Sequence, residues 1–315
     1  DESIRGRDIY LMVDVCNYSL TYTMNGRTNH MSPDDHYQNL KRVIAAIGGK
    51  AKRINVIMPF LYESRQHKRS GRESLDCALA LQELVRMGVD NIITFDAHDP
   101  RVQNAIPLHG FETIRPTYQF VKALLRNVTD LKVDSDHMMA ISPDEGGTNR
   151  AIYLANVLGL DMGMFYKRRD YTQIVNGRNP IVAHEFLGSS VEGKDVIIID
   201  DMISSGDSII EVATELKRRK AKRIFAAATF GLFTNGLDKF DQAYEDGTIS
   251  GILTTNLIYQ TPELLSRPYY INCDMSKYIA LIIDTLNHDG SISSILSPDE
   301  RIQHVLQKYK NGETI

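Results

Sequence analysis

Cysteine is scarce in this chain, long apolar runs are missing, and there is no surplus of positive charge. Cys16, Cys77 and Cys273 are odd in number and lack metal-ligand spacing. That argues against a disulfide framework and points to a reducing, cytoplasmic setting. The longest apolar stretches, such as Ile224 to Phe233 and Tyr278 to Ile283, fall far short of a membrane span, and no signal-like segment opens the chain. A net charge of −4 and a pI near 6.2 provide no global attraction to nucleic acid or to anionic membrane, so neither partner is expected. The start is abrupt. Asp1-Glu2-Ser3-Ile4-Arg5-Gly6 leads straight into the apolar run Ile9–Val13 with nothing to shield that first strand, and a further amino-terminal segment is expected.

What is present is the raw material of a globular α/β protein. With 315 residues, 43% of them hydrophobic, the chain can build two ordinary cores. Short β-branched runs alternate with amphipathic helical patterns, the signature of crossover units and mainly parallel sheets flanked by helices. Strands are expected at Asp8–Asp14, Ile54–Pro59, Asn91–Asp96, His137–Ser142, Met162–Tyr166, Asp195–Asp200 and Ile224–Thr229. Helical spacing covers Asp34–Ile47, Glu73–Met87, Asp144–Leu158, Ser208–Arg219 and Met275–Leu286.

The string Lys50-Ala51-Lys52-Arg53-Ile54 returns as Lys220-Ala221-Lys222-Arg223-Ile224, each time after a helix and into a strand. Basic residues at a helix end are ordinary dipole complements, yet the matching context suggests duplication. A domain boundary is expected near Arg115-Pro116, giving domains 1–115 and 116–288, with a tail from 289 to 315 packing back on a domain. Between the first strand and helix, Asn17–Asp35 is long and carries an Asn25-Gly26 turn between Tyr- and Thr-rich arms. It reads either as a decorated surface loop or as a small hairpin insertion.

The sharpest chemical signal is Val196-Ile197-Ile198-Ile199-Asp200-Asp201-Met202-Ile203-Ser204-Ser205-Gly206-Asp207-Ser208. An apolar strand ends in two carboxylates, and a short Ser/Gly loop then opens a helix. Such a loop can aim successive backbone N–H groups and the positive helix end at one phosphate. Ser205 and Ser208 add hydroxyl donors, while Asp200 and Asp201 can accept from the vicinal hydroxyls of a ribose. The plain structural alternative is an Asp-rich turn with Ser208 as a helix cap.

This segment resembles the phosphoribosyl diphosphate loop shared by type I phosphoribosyltransferases and ribose-phosphate diphosphokinases. Further segments favour the diphosphokinases. Ser142-Pro143-Asp144-Glu145-Gly146-Gly147 is similar to their Ser-Pro-Asp-x-Gly-Gly element, and Phe60 to Arg69 is similar to their Arg-Gln-rich nucleotide stretch. Phe95-Asp96-Ala97-His98-Asp99 resembles their Asp-x-His segment, and Tyr166-Lys167-Arg168-Arg169 resembles the start of their mobile catalytic loop. The resemblance spans most of the chain in the family's order. It implies two tandem type I phosphoribosyltransferase-like domains that move the β,γ-diphosphate of ATP to the C1 hydroxyl of ribose 5-phosphate, giving phosphoribosyl diphosphate and AMP. It further implies Lys167 and Arg169 as catalytic cations that share a face of an extended segment. Arg65, Gln66 and His98 would bind ATP, and His98 and Asp144 would hold Mg²⁺. Asp200, Asp201, Ser204, Ser205, Gly206, Asp207 and Ser208 would bind ribose 5-phosphate. A homo-oligomer, dimer-based or hexameric, follows from the family as well.

Some positions depart from the family pattern. Asp207 stands where glycine is typical, and a carboxylate beside a dianionic phosphate repels it unless turned away. Ser204 stands where many members have Asp, and His67 replaces the acidic residue that commonly follows Arg-Gln. Lys68 and Arg69 read equally well as a solvated basic loop. Two other functions stay open: a non-catalytic regulatory homologue, disfavoured by the presence of Lys167, Arg169, His98 and Asp144, and a phosphoribosyltransferase, which would need only one such domain.

Overall fold

The computed structural model describes residues 3–169 and 181–315. By packing, the chain forms two units, one of Asp1–Pro116, Asn256–Gln260 and Asp274–Ser297, the other of Thr117–Thr255, Thr261–Cys273 and Pro298–Ile315. No helix among the described residues is long and apolar enough to cross a membrane.

In the first unit the order is β1 (Asp8–Met12), β2 (Thr21–Met24), β3 (Arg27–His30), α1 (Pro33–Ile47), β4 (Arg53–Ile57), α2 (Asp76–Arg86), β5 (Asn91–Phe95) and β6 (Gly110–Ile114). Strands β1, β4, β5 and β6 form a parallel sheet in that order. Helix α1 starts where Ser32 and Asp35 form a reciprocal capping box with Pro33 behind them, and it stops at Gly48 in the left-handed conformation. Its buried apolar residues Tyr37, Leu40, Ile44 and Ile47 follow helical spacing onto one core. Strands β2 and β3 form an antiparallel hairpin whose Asn25 and Gly26 both have positive φ, 49° and 73°, the geometry that a two-residue hairpin turn requires. The insertion is therefore a hairpin, and every residue of β2 is exposed.

The second unit runs α3 (Thr117–Asn127), β7 (Met138–Ser142), α4 (Thr148–Leu158), β8 (Asp161–Arg169), β9 (Ile181–Leu187), β10 (Asp195–Ile203), α5 (Asp207–Arg218), β11 (Arg223–Gly231), α6 (Asp238–Glu245), β12 (Gly251–Thr255), α7 (Pro262–Leu265) and β13 (Tyr270–Cys273). Helices α8 (Ser276–Asn287) and α9 (Ser293–Leu296) group with the first unit and α10 (Asp299–Lys310) with the second. The sheet order is β13-β12-β11-β10-β7-β8-β9, parallel except for β8 with β9. Both faces are buried. Met138, Ala140, Ile197, Ile199 and Ala227 belong to one core, while Met139, Ile141, Val196, Ile198 and Ala226 belong to the other. That two-residue alternation across a doubly covered sheet explains why these strands read as continuous apolar runs. Helix α10 is fastened by Tyr309, whose hydroxyl donates to Val128 O and accepts from Leu131 N, and by Gln303, which donates to Val157 O at 2.6 Å.

The repeated Lys-Ala-Lys-Arg-Ile string makes the same contacts in both units. Gly6 N–H donates to Lys50 O at 3.2 Å, as Gly193 N–H does to Lys220 O at 2.9 Å. Lys52 N–H donates to Arg7 O and Lys222 N–H to Lys194 O, both at 2.8 Å. Arg53 grips Asp8 through Nε and Nη2, and Arg223 grips Asp195 in the same two-pronged way. Each carboxylate is nearly buried, so the guanidinium fork fixes the start of the first crossover in register.

Element ends shift for local reasons. Helix α2 starts at Asp76 rather than Glu73, because Glu73 turns back to accept N–H bonds from Ser70 and Gly71. Helix α4 starts at Thr148 rather than Asp144, because Asp144 to Gly147 form a turn closed by Gly147 N–H to Asp144 Oδ1 at 3.1 Å. Strand β8 extends to Arg169 because β9 pairs along it, which the polar composition between them concealed.

Candidate functional site

Strands β7 and β10 are neighbours in the second unit, yet the chain leaves β7 for β8 on one side and reaches β10 on the other. This is a topological switch point, where a crevice opens beyond the carboxyl ends of parallel strands. The sequence places its chemistry there. At the end of β7, Ser142 Oγ donates to Asp144 O at 2.6 Å. A Cβ on Gly147 would lie 2.9 Å from Ser142 Oγ and 3.4 Å from Ile199 O, so only glycine lets this turn rest against β10.

On β10, successive residues Asp200 and Asp201 leave opposite faces, and Asp200 Oδ1 accepts the Asp201 N–H at 2.8 Å. Asp201 is buried, with Arg150 Nη2 at 3.9 Å from its carboxylate. Burial raises the Asp200 pKa well above its ordinary value, and the charges of Asp201 and Asp144 push it further the same way. Asp200 therefore feels two other carboxylates, Asp201 beside it and Asp144 beyond the neighbouring strand, and this strand edge offers acceptors that suit the hydroxyls of a sugar.

The loop beyond β10 is pinned from one side. Ile203 O accepts from Leu232 N and Phe233 N, and Ser204 O accepts from Thr234 N. In a trans peptide the carbonyl and the next amide point in opposite directions, so the Ser204 and Ser205 N–H groups face away from that segment together. Gly206 has φ 85°, and a Cβ there would overlap the Phe240 ring, so the close turn into α5 needs glycine. Asp207 opens α5 with its carboxylate already engaged, accepting from Ser205 Oγ at 2.8 Å and paired with Lys239.

In the first unit, the ends of β4 and β5 bring the Arg-Gln stretch and the Asp-x-His segment together through a residue that neither motif assigns. His67 lies with its ring centroid 5.2 Å from that of His98 and its Nε2 3.6 Å from Asp99 Oδ2. Its Nδ1 is buried without a partner among the described residues. Asp99 caps the turn at Pro100–Ala105 and takes two bonds from Arg101 Nε, and that guanidinium lowers the Asp99 pKa to about 2. Arg65 is exposed and Gln66 half-buried in the turn that leads to His67.

Lys167 and Arg169 fall on the end of β8, where the pairing register slips between Arg168 and Arg169. A bulge of this kind interrupts the two-residue alternation assumed for them. Their side chains lie outside the described residues. Among the described residues no three His, Cys, Asp or Glu side chains form a metal cage. A magnesium ion held by one or two carboxylates, with water and substrate phosphates completing its shell, is compatible with that.

Parallel sheets flanked by helices, with a short strand-to-helix loop at a switch point, fit the phosphoribosyltransferase class of fold. Residues 1–88 match the N-terminal domain of ribose phosphate pyrophosphokinase, and residues 112–265 match the phosphoribosyl transferase domain. The "Putative ribose-phosphate pyrophosphokinase 2" of Streptococcus mutans is 30% identical over 274 residues, covering 86% of this chain and 75% of that protein. The ribose-phosphate pyrophosphokinase of Mycoplasma genitalium is 29% identical over 263 residues, covering 82% and 71%. The crystal structure of phosphoribosylpyrophosphate synthetase from Mycobacterium smegmatis shares the fold, with a TM-score of 0.74 at 23% identity over 92% of this chain and 86% of that one. The chain belongs to the ribose-phosphate pyrophosphokinase family, the enzyme family that its motifs resemble.

Proposed function

We propose that the chain transfers the β,γ-diphosphate of ATP to the C1 hydroxyl of ribose 5-phosphate, giving phosphoribosyl diphosphate and AMP. The observation that carries this reading is the second unit's strand-end pair, Asp200 and Asp201, next to a loop whose Ser204 and Ser205 amides face one way. Those amides and the start of α5 would hold the 5-phosphate, and the carboxylates would take the ribose hydroxyls. Asp144 would hold Mg²⁺, which supplies charge neutralisation on the transferring phosphates when bound. On the first unit, Arg65 and Gln66 would contact the nucleotide and His98 its metal-bound phosphates, while Lys167 and Arg169 would counter charge on the transferred group. A cytoplasmic location fits the three free cysteines, two of them buried. Assembly as a homo-oligomer is part of the same proposal.

The test is AMP release from purified protein with ATP, ribose 5-phosphate and Mg²⁺, omitting each in turn. Release that needs all three is expected. No AMP from a full-length preparation would leave the regulatory-homologue reading in its place, and base-dependent diphosphate release would favour a phosphoribosyltransferase.

A further inference from the structure

Asp207 is out of place in a phosphate-binding loop. It is the first residue of α5, adjoining the amides proposed to hold the phosphate, and an unscreened carboxylate there opposes a dianion. In the structure both of its oxygens are engaged. Ser205 Oγ donates to Oδ2 at 2.8 Å, and Lys239, near the start of α6, pairs with Oδ1. The pairing spans two helices, and Asp207 and Lys239 both line the groove of about 470 Å³ between α5 and α6. The ammonium and the Ser205 hydroxyl hold the Asp207 carboxyl below its ordinary pKa, so it stays ionised and attached. Asp207 and Lys239 are each about half exposed. A bridge so wet adds little to folding, which leaves its charge balance as the property to account for.

We propose that Lys239 is a positioning residue for the phosphate loop: it neutralises Asp207 and draws that carboxylate toward α6, so that the loop's amides can donate to the 5-phosphate of the sugar. The inference rests on the reading of this loop as the ribose 5-phosphate site. It also explains how the loop tolerates an acid in place of a glycine, because the compensating cation comes from another helix. At most, Lys239 adds a long-range attraction to the incoming dianion; it is not a catalytic residue.

The decisive comparison is the sign of two substitutions. If the pair only ties α5 to α6, removing either partner breaks the same bond, and both changes move substrate affinity in the same direction or not at all. If its charge tunes the loop, Lys239→Met raises KM for ribose 5-phosphate roughly tenfold, about 1.4 kcal/mol. Asp207→Asn then lowers KM below that of the unaltered protein, and the double variant returns close to it. Lys239→Arg keeps the low KM, and the Lys239→Met defect shrinks as salt is raised. KM for ATP serves as the internal control, together with isothermal titration using ribose 5-phosphate alone. Same-sign effects, or an effect only on thermal stability, overturn the role of Lys239. Failure of the unaltered protein to bind ribose 5-phosphate overturns the loop assignment itself, and this inference with it.

Discussion

The two units carry one crossover built twice and finished differently. In each, a Gly-basic-Asp start leads into a strand, a helix follows, and an Arg from the repeated string clamps the starting Asp. Between strand and helix the copies part. The second unit has only residues 204–206 there, and its strand presents Asp200 and Asp201. The first unit has residues 13–32, including the β2–β3 hairpin. Counting from the shared start, Asp14 stands where Asp201 does. Asp14 is spent on backbone: it accepts from Cys16 N at 2.9 Å and Tyr259 N at 2.7 Å, and burial raises its pKa. The end of the crossover that sets register is retained, while the opposite end, the carboxyl edge at which open α/β sheets generally take ligands, differs between the copies.

The largest effect should come from testing that pair of carboxylates. Asp201→Asn removes a charged acceptor from the proposed ribose site and should lower kcat/KM for ribose 5-phosphate roughly a hundredfold, about 2.7 kcal/mol. Asp14→Asn should leave that ratio alone and cost on the order of 1 kcal/mol in urea unfolding, because only the N–H bonds from Cys16 and Tyr259 are weakened. Equal kinetic losses in the two variants would mean that the first unit's strand end also serves the substrate.

The clamps should behave alike. Arg53→Met strands a nearly buried Asp8, and Arg223→Met does the same to Asp195, so each should cost about 2–3 kcal/mol at neutral pH, somewhat less than for a fully buried pair. Asp8 has its pKa lowered in the folded chain, chiefly by the hydrogen bond from Arg53. Such a group adds stability that is fully present above its unfolded pKa of about 3.9 and is lost as pH falls through the lower folded value. The Arg53→Met penalty should therefore shrink in urea titrations run below about pH 4. A penalty independent of pH would show that the guanidinium contributes packing rather than charge.

Much of this was legible beforehand. Apolar runs with turn residues between them announced the parallel strands, and Asn25-Gly26 allowed a hairpin because only a few residue pairs accept two positive φ angles. The repeated string suggested duplication, and the contacts of Arg53 and Arg223 show the two copies doing the same work. Strands β6, β12 and β13 were not drawn from the sequence: β6 and β12 open on a glycine, which weakens a strand reading, and β13 is only four residues long. The site's supporting contacts were hidden for another reason: they join residues far apart in the chain. Lys239 lies 32 positions from Asp207, and His67 and Asp99 meet only because β4 and β5 are neighbours. The doubt raised by Asp207 was visible in the sequence; its partner was not.

A smaller effect is expected at the proposed nucleotide side of the first unit. His67 Nδ1 is buried beside His98 and unpartnered among the described residues, so a bound nucleotide group can satisfy it. Asparagine places its amide near the Nδ1 position and glutamine near Nε2. His67→Asn should hold KM for ATP within about twofold, while His67→Gln should raise it roughly fivefold, the worth of one hydrogen bond. The reverse order would assign the contact to Nε2, now directed at Asp99.

The smallest effect should follow removal of the hairpin itself. Replacing Ser19–His30 by two glycines deletes an element with all of β2 exposed, while it keeps Tyr18, whose ring meets Tyr259 edge-on at 5.6 Å, and Asn17, whose carbonyl bonds His36. Closure entropy varies only slowly with the length of a connection, so unfolding free energy should move by less than about 0.5 kcal/mol and AMP formation should persist. Tolerance would fit an insertion accepted at a strand end that no longer serves a ligand. A loss of 2 kcal/mol or more would instead require that Leu20, Tyr22 and Met24, all exposed in the single chain, be covered in the working protein.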